Sequence, residues 1–146
     1  MRMKTWLMAT AVGVAMAMGA QSAQAVTFKY AFQGDINALD PYTLNETFTI
    51  AALGNVYEGL TKRDKTLKIV PGLAERWETP EPTRWRFYLR KGVKFSGGED
   101  FTADDVVFSF ERVLSPGSQM TARLPKGIKI QKIDDYTVDF LLESPN

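Results

Sequence analysis

The residues of this chain that could do chemistry are two pairs of adjacent carboxylates, Asp104-Asp105 and Asp134-Asp135. Paired carboxylates serve general acid–base catalysis or bind divalent cations. The chain has no histidine and no cysteine, so it lacks the commonest general base, the commonest transition-metal ligand and the usual nucleophile–base pairs. The composition therefore favours a protein that is not an enzyme and that needs no cofactor or metal.

Each carboxylate pair also has a structural explanation from its position. Thr102 has the character of a helix N-cap, which places Asp104 and Asp105 in the first helical turn, where the helix dipole favours negative charge. Asp134-Asp135 falls between two apolar segments, as the turn of a hairpin does. We expect both pairs to be structural rather than catalytic.

Two further groups of residues have a composition that could bind a ligand. Arg84, Arg86 and Arg90 share one face of a predicted strand and could hold an acidic ligand, although a solvated face is the simpler prediction. Ser96-Gly97-Gly98 has the composition of an anion-binding nest. No phosphate loop with its lysine follows it, so we predict a plain turn.

These residues are carried by a chain whose patterns alternate between strand and helix. Alternating apolar residues predict strands over residues 26–32, 84–90 and 136–142, and Ile128 and Ile130 suggest another. Short extended pieces are expected around residues 60–63 and 67–70, and the segment 73–78 is expected to end at the Thr-Pro-Glu-Pro run that follows it. The pattern predicts an α+β (mixed α/β) fold.

Two helices are predicted by apolar residues at helical spacing. The first covers residues 47–58, with Asn45 as a possible cap and Gly59 at its end. The second begins after Thr102, with Phe101 packing on Val106, and stops at Pro116-Gly117. Its buried stripe is predicted to be Val106, Phe110, Val113 and Leu114.

The first 25 residues have the order of a secretory signal. Arg2 and Lys4 precede an apolar run of 15 residues, Trp6 to Ala20, and Ala23-Gln24-Ala25 offers a cleavage site before Val26. The run is shorter than the roughly 20 apolar residues of a membrane-spanning helix. No lipid-attachment cysteine follows. We expect a soluble periplasmic protein, with 1–25 as signal peptide and 26–146 as mature chain.

The mature part is close to neutral. Arg2 and Lys4 account for two of the 18 Lys and Arg, so 16 oppose 17 Asp and Glu. This balance argues against nucleic acid, which requires a basic face, and against a polybasic membrane surface.

Five motifs in order resemble the N-terminal part of the family 5 extracellular solute-binding proteins. They are Leu39-Asp40-Pro41, Val56-Tyr57-Glu58-Gly59-Leu60, Val70 to Glu78, Phe87 to Phe95 and Phe101 to Arg112. The family comprises periplasmic receptors of ABC importers for dipeptides, oligopeptides and nickel chelates. The resemblance covers residue 26 onward.

The resemblance implies the first strand of lobe one of a two-lobed binding protein, together with the small extra subdomain beside it. It implies a monomer that binds a small solute, most simply a peptide, and docks on an ABC permease in the inner membrane. In peptide-binding relatives the loop after Leu-Asp-Pro contacts an extended ligand. The matching positions here are Asn45, Glu46, Thr47 and Phe48, although Asn45 is equally expected to cap the helix.

Members of the family run to several hundred residues, so the resemblance covers only part of one. We expect residues 26–146 to lack the second lobe and to be unable to bind ligand alone, because half a cleft cannot desolvate a ligand. The alternatives are a stand-alone exported interaction module and a non-functional gene fragment. The residues do not separate peptide from opine, oligosaccharide or metal-chelate binding.

Overall fold

The computed structural model describes residues 27, 29, 31 and 33–145. The chain divides into two units, Met1–Gln33 and Gly34–Asn146. The expected signal segment lies outside the described residues, as do the apolar members of the expected first strand, Val26, Phe28, Tyr30 and Phe32. Every element described below belongs to the second unit. None of the helices in the described ranges is long and apolar enough to cross a bilayer.

The second unit is a mixture of short helices and antiparallel strands. In chain order the elements are α1 (Thr47–Leu53), β1 (Thr61–Arg63), β2 (Ile69–Pro71), β3 (Ala74–Glu81), β4 (Arg84–Leu89), α2 (Ala103–Leu114), a 3₁₀ helix (Gln119–Arg123), β5 (Lys129–Asp134) and β6 (Thr137–Leu141). Strands β1 and β2 pair with each other, and the other four form one sheet in the order β3-β4-β6-β5. The mixed α and β class predicted from the sequence is confirmed.

Two hairpins meet at the centre of the four-stranded sheet. Strands β3 and β4 form one and β5 and β6 the other, and β4 pairs with β6 to join them. The second hairpin turns after Asp134, as the sequence predicted. In the β4–β6 register Trp85 lies opposite Phe140, and Arg86 lies opposite Asp139. One face of the sheet is thus aromatic and the other charged, because side chains alternate along a strand.

Helix α2 covers the aromatic face. Phe110 meets Phe140 edge to face with ring centroids 4.7 Å apart, and Phe140 meets Phe87 in the same way at 5.0 Å. Phe101 and Val106 are both buried in this core, as a hydrophobic staple requires. The remaining members of the core are Ala74, Leu89, Ala103, Ile128, Val138 and Phe140.

Helix α1 is shorter than predicted. It ends at Leu53 rather than near residue 58. Gly54 closes it with its N–H on the carbonyl of Ile50 at 3.0 Å, and the Asn55 side chain donates to the Ala51 and Ala52 carbonyls. These bonds satisfy the last helical carbonyls, so the helix stops although the apolar spacing continues. Thr49 and Leu53, on the predicted face, are buried.

Two other predictions are corrected. Strand β3 runs through Thr79 to Glu81, because a register shift between Glu78 and Glu81 accommodates Pro80 within the hairpin. Leu114 is 40% exposed and does not belong to the buried stripe of α2, which includes Ala103 instead.

Candidate functional site

The candidate ligand loop, residues 40–47, begins with a turn built on Asp40. One carboxylate oxygen of Asp40 accepts the Tyr42 N–H at 2.9 Å, and the other pairs with Arg112 at the end of α2. The Tyr42 N–H and the Arg112 guanidinium hold the pKa of the Asp40 carboxyl below its usual value. Because Asp40 is charged and paired, this end of the 40–47 loop is anchored to α2.

The other end of the loop is the start of α1. Glu46 is the N-cap, and its carboxylate oxygens accept the N–H groups of Phe48 and Thr49, each at 2.8 Å. Hydrogen bonds from Thr49, and then from Phe48, lower the pKa of Glu46. Asn45 was the expected cap and does not serve as one, since the longer Glu46 side chain reaches both orphan N–H groups.

Asn45 is instead tied to the 3₁₀ helix. Its side-chain oxygen accepts from Nε of Arg123 at 2.6 Å, and its backbone N–H donates to the side-chain oxygen of Gln119 at 3.2 Å. Sequence reasoning missed both partners, which lie more than 70 residues further along the chain. No local pattern signals such a contact.

The four predicted ligand residues are adjacent, but they differ in whether their side chains are available to contact a ligand. Asn45 and Glu46 use their side chains in internal hydrogen bonds. Phe48 is half-buried. Thr47 is exposed, and its hydroxyl has no hydrogen-bond partner among the described residues. Contact with a ligand at these positions stays a prediction.

The arginine row is not the solvated face predicted for it. Arg86 makes a two-pronged pair with Asp139, with Nε and Nη2 at 2.7 and 2.8 Å from its two oxygens. Arg84 lies 3.8 Å from the same carboxylate, which is buried. Asp139 lies directly across from Arg86 on β6, so Arg84 and Arg86 belong to a charge cluster within the sheet. Arg90 lies apart from this cluster, 3.9 Å from the carboxylate of Glu58.

The two carboxylate pairs are structural, as predicted. Asp105 completes a capping box with Thr102 at the start of α2. Asp104 and Asp135 both pair with Lys132, at 2.7 and 2.8 Å, and raise the pKa of its ammonium. In the part of the chain that the structure describes, no three His, Cys, Asp or Glu side chains are placed to hold a metal ion.

The model for bacterial extracellular solute-binding proteins, family 5, matches residues 68–146. A dipeptide-binding protein of Escherichia coli K12 is 36% identical over 90% of this chain. The chain belongs to family 5 of the extracellular solute-binding proteins, as its motifs predicted.

Solved structures agree with this assignment. The periplasmic binding protein DppA of Helicobacter pylori, in complex with the peptide STSA, matches 76% of this chain with a TM-score of 0.63 and 31% identity. NikZ of Campylobacter jejuni, in complex with Ni(L-His), matches 77% with a TM-score of 0.69 and 28% identity. The chain spans 29% of the Escherichia coli relative and about a quarter of these two solved chains.

Proposed function

We propose that this chain is the N-terminal part of a periplasmic receptor that delivers a peptide to an ABC importer. The observation that carries the proposal is the 36% identity to a dipeptide-binding protein along 90% of the chain. The peptide complex of the Helicobacter pylori protein, described as ABC transporter-associated, supports the same solute and partner. Residues 1–25 are then an export signal, and the mature receptor is a monomer without a lipid anchor that docks on an inner-membrane permease.

In this proposal the 40–47 loop contributes one wall of the ligand site. Because Asn45 and Glu46 hold the loop through their side chains, their contribution to the ligand comes from backbone groups other than the Asn45 N–H and the Glu46 carbonyl, which are already hydrogen-bonded. Thr47 adds a free hydroxyl, and Phe48 an apolar surface. Backbone contacts of this kind suit an extended peptide, which pairs with a receptor main chain whatever its side chains are.

The segment alone is proposed not to hold a peptide. A small-molecule site buries most of its ligand between convergent walls, and this chain spans 29% of its dipeptide-binding relative. The hinge movement of such receptors closes a second lobe over the ligand, and we expect that lobe in the part of the relative that this chain does not match.

The first experiment measures the size and the binding of the native product. An antibody against residues 26–146 identifies that product in a periplasmic extract, and calorimetry follows with dipeptides and tripeptides. We expect a product several times the size of residues 26–146 that binds peptide, whereas this chain, exported by itself, binds none.

Three outcomes would each contradict part of the proposal. If a long native product does not bind peptides but binds a nickel chelate, the proposed solute is wrong and a nickel chelate takes its place. The chain is also similar to NikZ. A native product no larger than residues 26–146 that binds no solute would favour the interaction module. Micromolar peptide binding by the short chain would show that the loop suffices without a second lobe.

A further inference from the structure

The 40–47 loop is held by residues that belong to a distant part of the chain. Asn45 makes two hydrogen bonds with distant residues. Its side-chain oxygen accepts from Arg123, and its backbone N–H donates to Gln119. Two residues earlier the Thr43 carbonyl accepts the Gln119 N–H at 3.4 Å, and the Tyr42 carbonyl accepts the Ser118 hydroxyl at 2.8 Å. One short segment, residues 118–123, therefore contacts the loop along its length.

That segment is itself fixed to α2. The Ser118 hydroxyl also accepts the Met120 N–H and so caps the 3₁₀ helix. The Thr121 hydroxyl donates to the Val113 carbonyl at 2.5 Å, near the end of α2. Because α2 is packed on the sheet, the 3₁₀ helix is a fixed support rather than a loose loop.

Arg123 is unusual among the cations near this loop. Arg112 pairs with the Asp40 carboxylate, whereas Arg123 has a neutral amide, Asn45, as its partner and is exposed. Within the described ranges no carboxylate lies within 4.0 Å of its guanidinium. An exposed bond of this kind adds little to global stability, so its effect falls on the loop.

We propose that Arg123 and Gln119 are positioning residues of the ligand site: they fix the backbone of the 40–47 loop through Asn45. Arg123 sets the side chain of Asn45, and Gln119 directs its backbone N–H. The proposal rests on the proposed function in assuming that the loop contacts ligand. The two hydrogen bonds that hold Asn45, from Arg123 and to Gln119, do not depend on that assumption.

The test is a double-mutant cycle read by hydrogen exchange. The exported chain is compared with Arg123→Ala, Asn45→Ala and the double variant, and exchange is followed for the amides of residues 42–46. Each single variant should raise loop exchange by about tenfold, the loss expected for one hydrogen bond to a charged group. The double variant should add no more, and the urea midpoint should stay unchanged.

Two controls keep the outcome specific. Lys126→Ala removes an exposed cation close to the 3₁₀ helix and should leave loop exchange as it was. Arg123→Lys retains a donor and should restore part of the protection lost in Arg123→Ala. Unchanged loop exchange in Arg123→Ala, additive effects in the double variant, or a matching loss of global stability would each overturn the proposal.

Calorimetry on the native product separates this inference from the function on which it rests. If the wild-type product binds no peptide, the proposed function fails, while the exchange result still decides whether Arg123 holds the loop. If the wild type binds peptide and Arg123→Ala binds equally well, the function stands and the positioning role in ligand binding fails. An affinity reduced about tenfold with an unchanged urea midpoint supports both.

Discussion

Asp139 is the residue on which the charged face of the sheet depends. It is buried, and it faces Arg86 at 2.7 Å and Arg84 at 3.8 Å. A buried carboxylate is tolerated only where its charge is paired and hydrogen-bonded. Both arginines are also partly desolvated, because their side chains are 26% and 33% exposed. Asp139 is therefore the counter-charge of Arg86 and a shared one for Arg84, which also lies 3.0 Å from Glu81.

We predict that Asp139→Asn lowers the free energy of unfolding by about 2–3 kcal/mol, because the partly desolvated Arg86 loses its counter-charge and Arg84 keeps only Glu81. The measurement is urea denaturation of the exported chain followed by circular dichroism. Asp100→Asn is the matched control. Asp100 pairs with Lys94 at 2.6 Å but both side chains are more than half exposed, so the loss should stay below about 1 kcal/mol. Equal losses in the two variants would contradict this account.

The residues of the candidate site were only partly predictable. The position of Asn45, Glu46, Thr47 and Phe48 came from the resemblance of a short motif, and the structure places them together because they are consecutive. That Glu46 rather than Asn45 caps α1 was not predictable, since Asn is the usual cap residue and the side chain of Asn45 is bonded instead to Arg123, 78 residues away. Asp139 was missed for the same reason, because strand register is a tertiary property.

At the scale of elements, helix α1 depends on the ionisation of its cap. The pKa of Glu46 is lowered in the folded state by the Thr49 and Phe48 hydrogen bonds. A depressed folded pKa means that the cap stabilises α1 above the ordinary carboxyl pKa of about 4.3. That contribution is lost as the pH falls through the folded value.

We therefore predict that amide exchange in residues 50–54 accelerates as the pH falls below about 4.3, beyond the intrinsic pH dependence of exchange. Glu46→Gln should remove this extra step while leaving α2 unaffected. The measurement is exchange monitored by nuclear magnetic resonance in the exported chain. An identical pH profile in wild type and Glu46→Gln would show that another group controls α1.

A second element-scale feature is the close approach of two backbone segments around Gly72. The Leu60 carbonyl accepts the N–H groups of Gly72 and Ala74, and the Gly59 carbonyl accepts that of Leu73. A Cβ at residue 72 would overlap the Gly59 carbonyl oxygen and lie 3.0 Å from that of Leu60. Only a residue without a side chain fits this crossing.

Gly72→Ala should accordingly destabilise the chain by about 1–3 kcal/mol, the cost of forcing backbone apart in a packed region. Gly54→Ala serves as control because Gly54 has a helical φ of −61° and its nearest neighbour would be 3.4 Å away. That variant should be neutral or slightly stabilising. The measurement is thermal unfolding of both variants. Similar unfolding midpoints for Gly72→Ala and Gly54→Ala would show that a Cβ at residue 72 is not crowded by the backbone.

Local signals predicted one helix well and the other poorly. For α2 the cap at Thr102, the staple at Phe101 and the stop at Pro116 act within a few residues, so the sequence alone located both ends. For α1 the apolar spacing continued through Val56 and Tyr57, yet both residues are exposed. Periodicity shows where a helix could continue, whereas side-chain hydrogen bonds from Asn55 decided where it ended.

At the scale of the whole molecule, several large apolar side chains are exposed to solvent rather than buried. Leu39 and Val56 are 74% and 75% exposed, and the hydroxyl of Tyr57 donates to the Leu39 carbonyl at 3.1 Å. Contiguous exposed apolar surface commonly marks a surface covered by another part of a protein. Leu39 and Val56 therefore present apolar surface to solvent in the described part of this chain.

The corresponding prediction concerns the exported chain alone. Leu39→Gln combined with Val56→Thr should reduce the binding of an apolar dye, because both side chains contribute surface rather than core. The free energy of unfolding, measured by urea denaturation, should change by no more than about 0.5 kcal/mol, as it does for other substitutions of exposed residues. Dye binding that does not change would show that the dye reports a different surface.

The position of Asp139 opposite Arg86 has a second consequence, for the choice of strand partner. Strand β4 precedes β6, its partner in the finished sheet, by about 50 residues in the chain. Without β6, strand β4 would present an open edge, which a second copy could use for pairing. Arg84 and Arg86 lie on β4, and like charges on two copies would repel one another. Pairing with β6 instead places Asp139 opposite Arg86, so these charges favour the chain's own strand over an identical one.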